Sequence, residues 1–366
     1  MKINYLNFRK QWSSQRKSLL NIIDKVFSSG KYVGVNCDHV VKLEKNISKF
    51  LKIKYSVSLN SGTDALTLAL YAAGVKKGDE VITTSNSFIA SAGSIIHLGA
   101  KPVFADVLPD QNINPEKIER LITKKTKAIM PVHLTGRSCD MSSIMKIARK
   151  YNIEVIEDCA QAFGSKFKGK FCGTFGTIGC FSTHPLKNFN ALGDGGFIVT
   201  KNSKIYDRIS KLRNHGLKTR DEAEFAGHNS RLDNVQAAIL NFRLKKINKI
   251  FKRRRENAMF YIKNLDHKFI FCPPEKKNEY NTYHLFIIQV PKRNNLRNYL
   301  LKKGIETYIH YPIPIHKQKI FNGKSSGINL PVTETQANNI LSLPIHEGLT
   351  KKQLLHVINS INSFYK

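Results

Sequence analysis

Acidic residues are scarce in this sequence: 27 Asp and Glu stand against 59 Lys and Arg in 366 residues, a formal net charge of +32. An excess of that size can attract nucleic acid or an anionic membrane, or it can simply coat a soluble surface with lysine. The basic residues are spread along the chain, with a local concentration, KKINKIFKRRR, at 245–255 that reads as the solvated face of a helix. No array of alternating basic and aromatic residues and no groove-reading motif accompanies them, so a nucleic-acid partner is not expected. Cysteine is also sparse. The six (Cys37, Cys139, Cys159, Cys172, Cys180 and Cys272) include no Cys-x-x-Cys pair and no His/Cys cluster at zinc spacing, which argues against a disulfide framework or a metal site and for free thiols in a reducing cytoplasm. Long apolar runs are missing too. Nothing approaches the ~18 uninterrupted apolar residues of a membrane span, and the charged start MKINYLNFRKQWSSQRK does not resemble an export signal. Internal repeats and low-complexity tracts are likewise lacking.

What is present is an alternation. From about residue 55 to 200, short runs rich in branched residues (YSVSL, VITTS, KPVFADV, KAIMPVHL, IEVIEDCA, GCFSTH, GGFIVT) read as strands. Between them ALTLALYAAG, NPEKIERLITKKT and MSSIMKIARKYN have helical spacing. Strands alternating with helices predict an α/β architecture with a mostly parallel sheet covered on both faces, and ligands in such sheets sit at the carboxyl ends of the strands. Ahead of this core, SQRKSLLNIIDKVFSSG predicts a helix stopped by Gly30; after it, residues 232–265 predict one long helix without Pro or Gly. The remainder predicts a small α+β unit: a strand at HLFIIQV, a helix at NLRNYLLKKG, the Pro-rich HYPIPIH and a closing helix KKQLLHVINSINSF. The expected division is a large domain over 1–245, including the N-terminal helix, and a small one over 246–366.

Three segments can carry chemistry. In N-S-G-T-D-A-L (60–66), a small-residue turn leads into a helix whose first N–H groups lack intrahelical acceptors, which suits a phosphate; the same residues also serve as an ordinary helix cap. In I-E-D-C-A-Q (156–161), Asp158 emerges from a buried strand, where a carboxylate needs a cationic partner or a hydrogen-bonded structural role. In G-C-F-S-T-H-P-L-K-N-F-N-A-L-G-D-G-G (179–196), Lys187 follows a strand among small residues that leave room for a ligand, although a surface lysine is unremarkable in so basic a chain. A phosphate cradle, a strand-end Asp, the Ser182 hydroxyl and a lysine in one parallel-sheet domain are together the parts of a pyridoxal-phosphate (PLP) site.

Seven segments in order resemble the DegT/DnrJ/EryC1/StrS family of sugar aminotransferases: SGTDALTLALYAAGVKKGDEVI, SFIASAGSIIHLGAKPVFADV, PVHLTGRSCDM, VIEDCAQAFG, FSTHPLKN, GHNSRLDNVQAAIL and HYPIPIHKQ. The resemblance covers nearly all of the chain and implies the aspartate-aminotransferase fold (PLP fold type I), a PLP cofactor that alternates with pyridoxamine phosphate, glutamate as amino donor and a nucleotide-linked keto sugar as acceptor. It implies that Lys187 bonds covalently to the cofactor aldehyde and shuttles the proton, and that Asp158 keeps the ring nitrogen protonated. By the same resemblance Gln161 approaches the phenolic oxygen, Phe88 stacks on the ring, and Gly62, Thr63 and Ser182 bind the phosphate. Asn229 would reach that phosphate from a second subunit, making the active unit a homodimer with shared sites.

K-N-F-N-A-L-G-D-G-G and N-S-R-L-D resemble the members that aminate C3 of dTDP-3-keto-6-deoxyhexoses, sugars of the kind used in lipopolysaccharide and other glycans. Amination of a 4-keto sugar or a cyclitol, and a non-catalytic regulatory role on the same fold, are the alternatives. His184, Arg231, His310, Tyr311 and His316 are the expected substrate contacts; each is also compatible with a packed or solvent-facing role. The sequence departs from the usual pattern at Thr135, Arg137, Cys139 and Thr183, and Arg137 near the site is expected to alter anion preference.

Overall fold

A computed structural model describes residues 1–321 and 328–366. Its centre is a seven-stranded sheet of β1 (Tyr55–Leu59), β2 (Glu80–Thr84), β3 (Lys101–Ala105), β4 (Thr126–Ile129), β5 (Glu154–Asp158), β8 (Ile178–Ser182) and β9 (Gly196–Thr200), in the order β1-β9-β8-β5-β4-β2-β3. Two short strands, β6 (Lys166–Phe167) and β7 (Lys170–Phe171), form a hairpin to which β10 (Glu279–Tyr280) adds antiparallel. In the main sheet β2, β3, β4, β5 and β8 pair in parallel, while β9 runs antiparallel to both β8 and β1. Two reversals restore the direction of β1, so β9 alone is inverted and six strands end on one edge.

Alternation along the strands explains the two covered faces. In β9, Phe197 and Val199 pack with α2 (Asp38–Leu51) and α8 (Asn234–Leu244), whereas Ile198 points the other way, towards α3 (Gly62–Ala72) and α7 (Ser203–Leu212). Further along the sheet, Ile82, Ile129 and Val155 form a third cluster with α6 (Met141–Tyr151), and α4 (Ala90–His97) packs beside α3. The first helix, α1 (Phe8–Ser28), ends before Gly30, whose φ of +68° lies in the left-handed region that glycine enters without strain.

Two expectations of secondary structure are corrected. The helix expected over 114–126 is a single turn, α5 (Pro115–Ile118), followed by a 3₁₀ turn at Glu119–Leu121; the chain must extend again by Thr126 to join the sheet. The long helix expected over 232–265 is two, α8 and α9 (Ile247–Asn264), separated at Lys245 and Lys246, where ψ reaches 0°. With no Pro or Gly there, packing sets the bend. Ala237 and Leu240 of α8 are held against α2, while Ala258 and Tyr261 of α9 enter a different core.

That second core joins the far half of α9, the antiparallel pair β11 (Phe286–Gln289) and β12 (Ile340–Leu343), α10 (Arg293–Lys302) and α12 (Lys351–Phe364); α11 (Pro331–Asn339) leads into β12. The first residues of the chain also pack here rather than with the N-terminal helix: Ile3 bridges Ile305, and Tyr5 packs with Leu285 and Ile287. All six cysteines are buried free thiols. Among the described residues no helix is long and apolar enough to cross a membrane.

Candidate active site

Five of the coaxial strands deliver residues to one cavity of about 330 Å³ at the shared carboxyl edge. The segment after β1 brings Gly62 and Thr63, that after β2 brings Phe88, and that after β4 brings Val132; β5 ends on Asp158 and β8 on Ser182. Lys187 follows in the turn after β8, its N–H donating to the His184 carbonyl at 2.8 Å.

The start of α3 is built for close approach. Ser61 caps the helix by accepting from the Asp64 N–H at 3.0 Å, and a helix's first-turn N–H groups have no partners within it, so those of Gly62 and Thr63 are left over at the cavity wall. A Cβ on Gly62 would lie 2.6 Å from the Ser182 Cβ, and one on Gly196 would lie 2.4 Å from the Ser61 carbonyl oxygen. Glycine at both positions is what brings helix start and strand end together.

Asp158 is 3% exposed, and its carboxylate accepts from the Ser91 hydroxyl at 2.8 Å and the Ala160 N–H at 3.1 Å. Among the described residues no cation pairs with it. Burial raises its pKa, opposed by those two hydrogen bonds and by the more distant charge of Lys187. Lys187 is half-buried, and desolvation lowers its pKa to about 8 against the pull of Asp158. The neutral amine needed for nucleophilic work is thereby within reach near neutrality.

Beneath Asp158 lies a brace. Glu157, fully buried, accepts from the backbone N–H groups of Gly173, Phe175 and Gly176 and sits 3.0 Å from His133 Nε2. His133 Nδ1 accepts from the Cys139 N–H, so its proton is on Nε2 and donates to Glu157. His133, Glu157 and Cys159 are near enough to share an ion, but the His133 and Glu157 ligand atoms are already engaged in this network.

The opposite wall comes from C-terminal segments. His310 hydrogen-bonds the Ser342 hydroxyl through Nδ1 at 2.8 Å, and burial lowers its pKa to about 4. The Gln161 side chain spans the two walls, accepting from the Thr135 N–H at 2.8 Å and donating to the Tyr311 hydroxyl at 3.2 Å. Phe88 is 56% exposed, with its ring centre 6.1 Å from that of Tyr311.

Gly62, Thr63, Phe88, Asp158, Gln161, Ser182, His184, Lys187, His310 and Tyr311 thus meet around one space. Three expected residues stand apart. Asn229 is exposed and accepts from Arg231 Nε at 3.0 Å; Arg231 also donates to Asn214 and borders a separate surface depression. His316 is 2% exposed with both ring nitrogens engaged, by Ser85 and Glu334, so it is a packing residue with no free face for substrate. The expectation for Arg137 also fails. Its guanidinium is buried against Glu279 and the carbonyls of Pro273 and Pro274, and is not in the cavity. Sequence reasoning passed over Ser91, the His133–Glu157 brace, His284 and Arg254. Ser91 was discoverable within the small-residue run SFIASAGS; the others become neighbours only through tertiary packing.

A buried carboxylate of this kind calls for a cation that the protein does not itself supply. On a mostly parallel sheet with a low-pKa lysine opposite, that requirement defines the PLP enzymes of the aspartate-aminotransferase fold. Residues 14–362 match the DegT/DnrJ/EryC1/StrS aminotransferase family. A "dTDP-3-amino-3,6-dideoxy-alpha-D-galactopyranose transaminase" of Aneurinibacillus thermoaerophilus is 40% identical, covering 99% of each chain. A "pleiotropic regulatory protein" of Geobacillus stearothermophilus is 38% identical over 100% of this chain and 99% of its own. The crystal structure of S. venezuelae DesV in complex with a ketimine intermediate superposes with a TM-score of 0.97 at 33% identity, covering 100% of this chain and 99% of that one. The chain belongs to the DegT/DnrJ/EryC1/StrS aminotransferase family.

Proposed function

We propose that this enzyme moves an amino group from glutamate to the keto carbon of a nucleotide-linked sugar, C3 of a dTDP-3-keto-6-deoxyhexose. The observation that carries the reading is that Lys187, its pKa lowered to about 8, shares one cavity with the buried carboxylate of Asp158, which has hydrogen bonds but no paired cation among the described residues. The residues present fit PLP: Asp158 lacks a cation, the Gly62 cradle has no room for a Cβ, and the Gly62 and Thr63 N–H groups with the Ser182 hydroxyl suit a phosphate. When bound, PLP supplies a cationic ring that accepts the electron pair left when a proton leaves the substrate carbon. Asp158 holds the proton on the ring nitrogen. The Lys187 amine takes the proton from one carbon and returns it to the next, and Phe88 covers the ring face. His184, His310 and Tyr311 meet the sugar.

Glutamate as donor, the cytoplasm as location and a homodimer as the active unit belong to the same proposal. Exposed Leu20, Phe27, Tyr32 and Val33 on and just after α1 support a second copy covering that surface. The position of exposed Asn229 and half-buried Arg231, off the chain's own cavity, supports their serving the neighbouring subunit's site. The bend between α8 and α9 supports dividing the expected large unit over 1–245 from the small one over 246–366 near residue 245, with Ile3 and Tyr5 packing on the small unit. The name of the Geobacillus relative raises a regulatory reading; an intact Lys187, Asp158 and cradle favour turnover instead. Product analysis with dTDP-linked 3-keto and 4-keto sugars tests the assignment. Amination of the 3-keto sugar is expected, and exclusive amination of the 4-keto sugar overturns it.

A further inference from the structure

An aminotransferase must admit two unlike substrates to one cavity, and the amino acid brings a carboxylate attached directly to the reacting carbon. That carboxylate needs a fixed positive charge close to the chemistry. Among the described residues lining the cavity, the lysines and arginines are Lys187 and Arg254. Lys187 works as a neutral amine, and burial disfavours the charged forms of the His284 and His310 imidazoles. Arg254 remains, and a guanidinium keeps its charge.

Its placement suits the task. Arg254 lies on α9 and is 4% exposed, deep in the C-terminal wall rather than at the mouth. Its Nη1 donates to the carbonyls of Tyr283 and His284, both at 3.2 Å, which fixes the plane of the group. Nε has no hydrogen-bond acceptor and lies 3.4 Å from Glu347, whose side chain is 32% exposed. So buried a charge, with one loose counter-ion and an unmade hydrogen bond, is poised for a second carboxylate. Beside it the buried Nδ1 of His284, 8% exposed, also has no partner.

Resting on the aminotransferase reading, we propose that Arg254, with His284 beside it, forms the subsite for the amino donor's carboxylate. A diphosphate, separated from the reacting carbon by the width of a sugar ring, stays nearer the mouth. The subsite therefore discriminates between the two half-reactions.

The test uses the holoenzyme and its Arg254→Lys, Arg254→Met and Glu347→Gln variants. KM is measured for glutamate and for the nucleotide sugar, and calorimetry gives Kd for glutarate, an unreactive dicarboxylate. Loss of a charge-assisted hydrogen bond predicts that Arg254→Met weakens glutarate binding and raises KM for glutamate by roughly 10- to 100-fold, with the sugar KM unchanged and partial rescue by Arg254→Lys. Glu347→Gln, which frees the guanidinium, is expected to tighten glutarate roughly two- to fivefold; this variant decides the matter if Arg254→Met does not fold. Unchanged glutarate affinity in Arg254→Met, a rise confined to the sugar KM, or unchanged or weaker binding in Glu347→Gln overturns the subsite while leaving the aminotransferase intact. A wild-type cofactor spectrum unaffected by glutamate would instead overturn the functional reading itself.

Discussion

The two walls of the cavity are made differently. One consists of strand ends: Gly62, Asp158, Ser182 and Lys187 each lie within a few residues of a β-strand terminus, in segments whose neighbours along the chain already suggest a role. The other is assembled from α9, the two residues before β11 and the 308–314 segment; His310 falls in the family-like HYPIPIHKQ, but neither Arg254 nor His284 sits in a local pattern that announces it. The first wall holds the groups to which the proposal gives proton transfer and phosphate binding; the second supplies imidazoles, a phenol and one buried guanidinium. The proposal thus puts chemistry on the sheet and selection on the wall facing it, as expected where a scaffold fixes reacting groups and other segments vary.

Breaking the strand-end wall carries the largest effects. Lys187→Ala is expected to bind the cofactor without a covalent bond and to lose half-transamination with glutamate by roughly 10⁴-fold, read from single-turnover absorbance; retained activity would refute its role. Asp158→Asn keeps the fold, since the isosteric amide accepts from the Ala160 N–H through Oδ1 and can donate through Nδ2 to a reoriented Ser91 hydroxyl, but slows proton transfer by roughly 10²- to 10³-fold in the same assay. An unchanged rate would mean that another group keeps the ring protonated. Gly62→Ala drives a methyl against Ser182, and overpacking of that kind predicts cofactor affinity lower by roughly 10- to 100-fold in a binding titration.

The pH dependence sharpens the contrast. With the Lys187 pKa at about 8, capture of the cofactor aldehyde by apoenzyme should rise roughly tenfold between about pH 7 and pH 9 and then level off; a rise centred on the ordinary lysine value would place the amine in open water. The sign for stability follows. The unfolded chain, with the lysine at its ordinary 10.5, binds more protons between about 8 and 10.5, so the Lys187 contribution to stability improves as pH rises through that window. The smallest effect on activity is expected of His316→Ala: the ring joins Ser85 to Glu334 outside the cavity, so thermal unfolding should report a loss of about 1–3 kcal/mol while the sugar KM stays constant.

Legibility in the sequence followed the same divide. The parallel sheet, the helix start at Gly62 and the roles argued for Asp158 and Lys187 rest on short-range patterns, because strand-end residues carry their structural context within about ten positions. The break between α8 and α9 left no trace, since Lys245 and Lys246 are good helix formers and only packing against two different cores bends the chain there. Arg137 and His316 sat in promising segments but spend their polar atoms on partners far away, Arg137 on Glu279 and His316 on Ser85, which local sequence does not reveal. Arg254 lay in a run of basic residues that reads as a solvated face, yet tertiary packing turns that one side chain inward.

The central claim is that one amine, that of Lys187, is bonded to the cofactor. Borohydride reduction of the holoenzyme, followed by proteolysis and mass spectrometry, tests it directly. The account predicts a single stable phosphopyridoxyl adduct on the peptide containing Lys187; an adduct on any other lysine, or none on a protein that binds PLP, would contradict it.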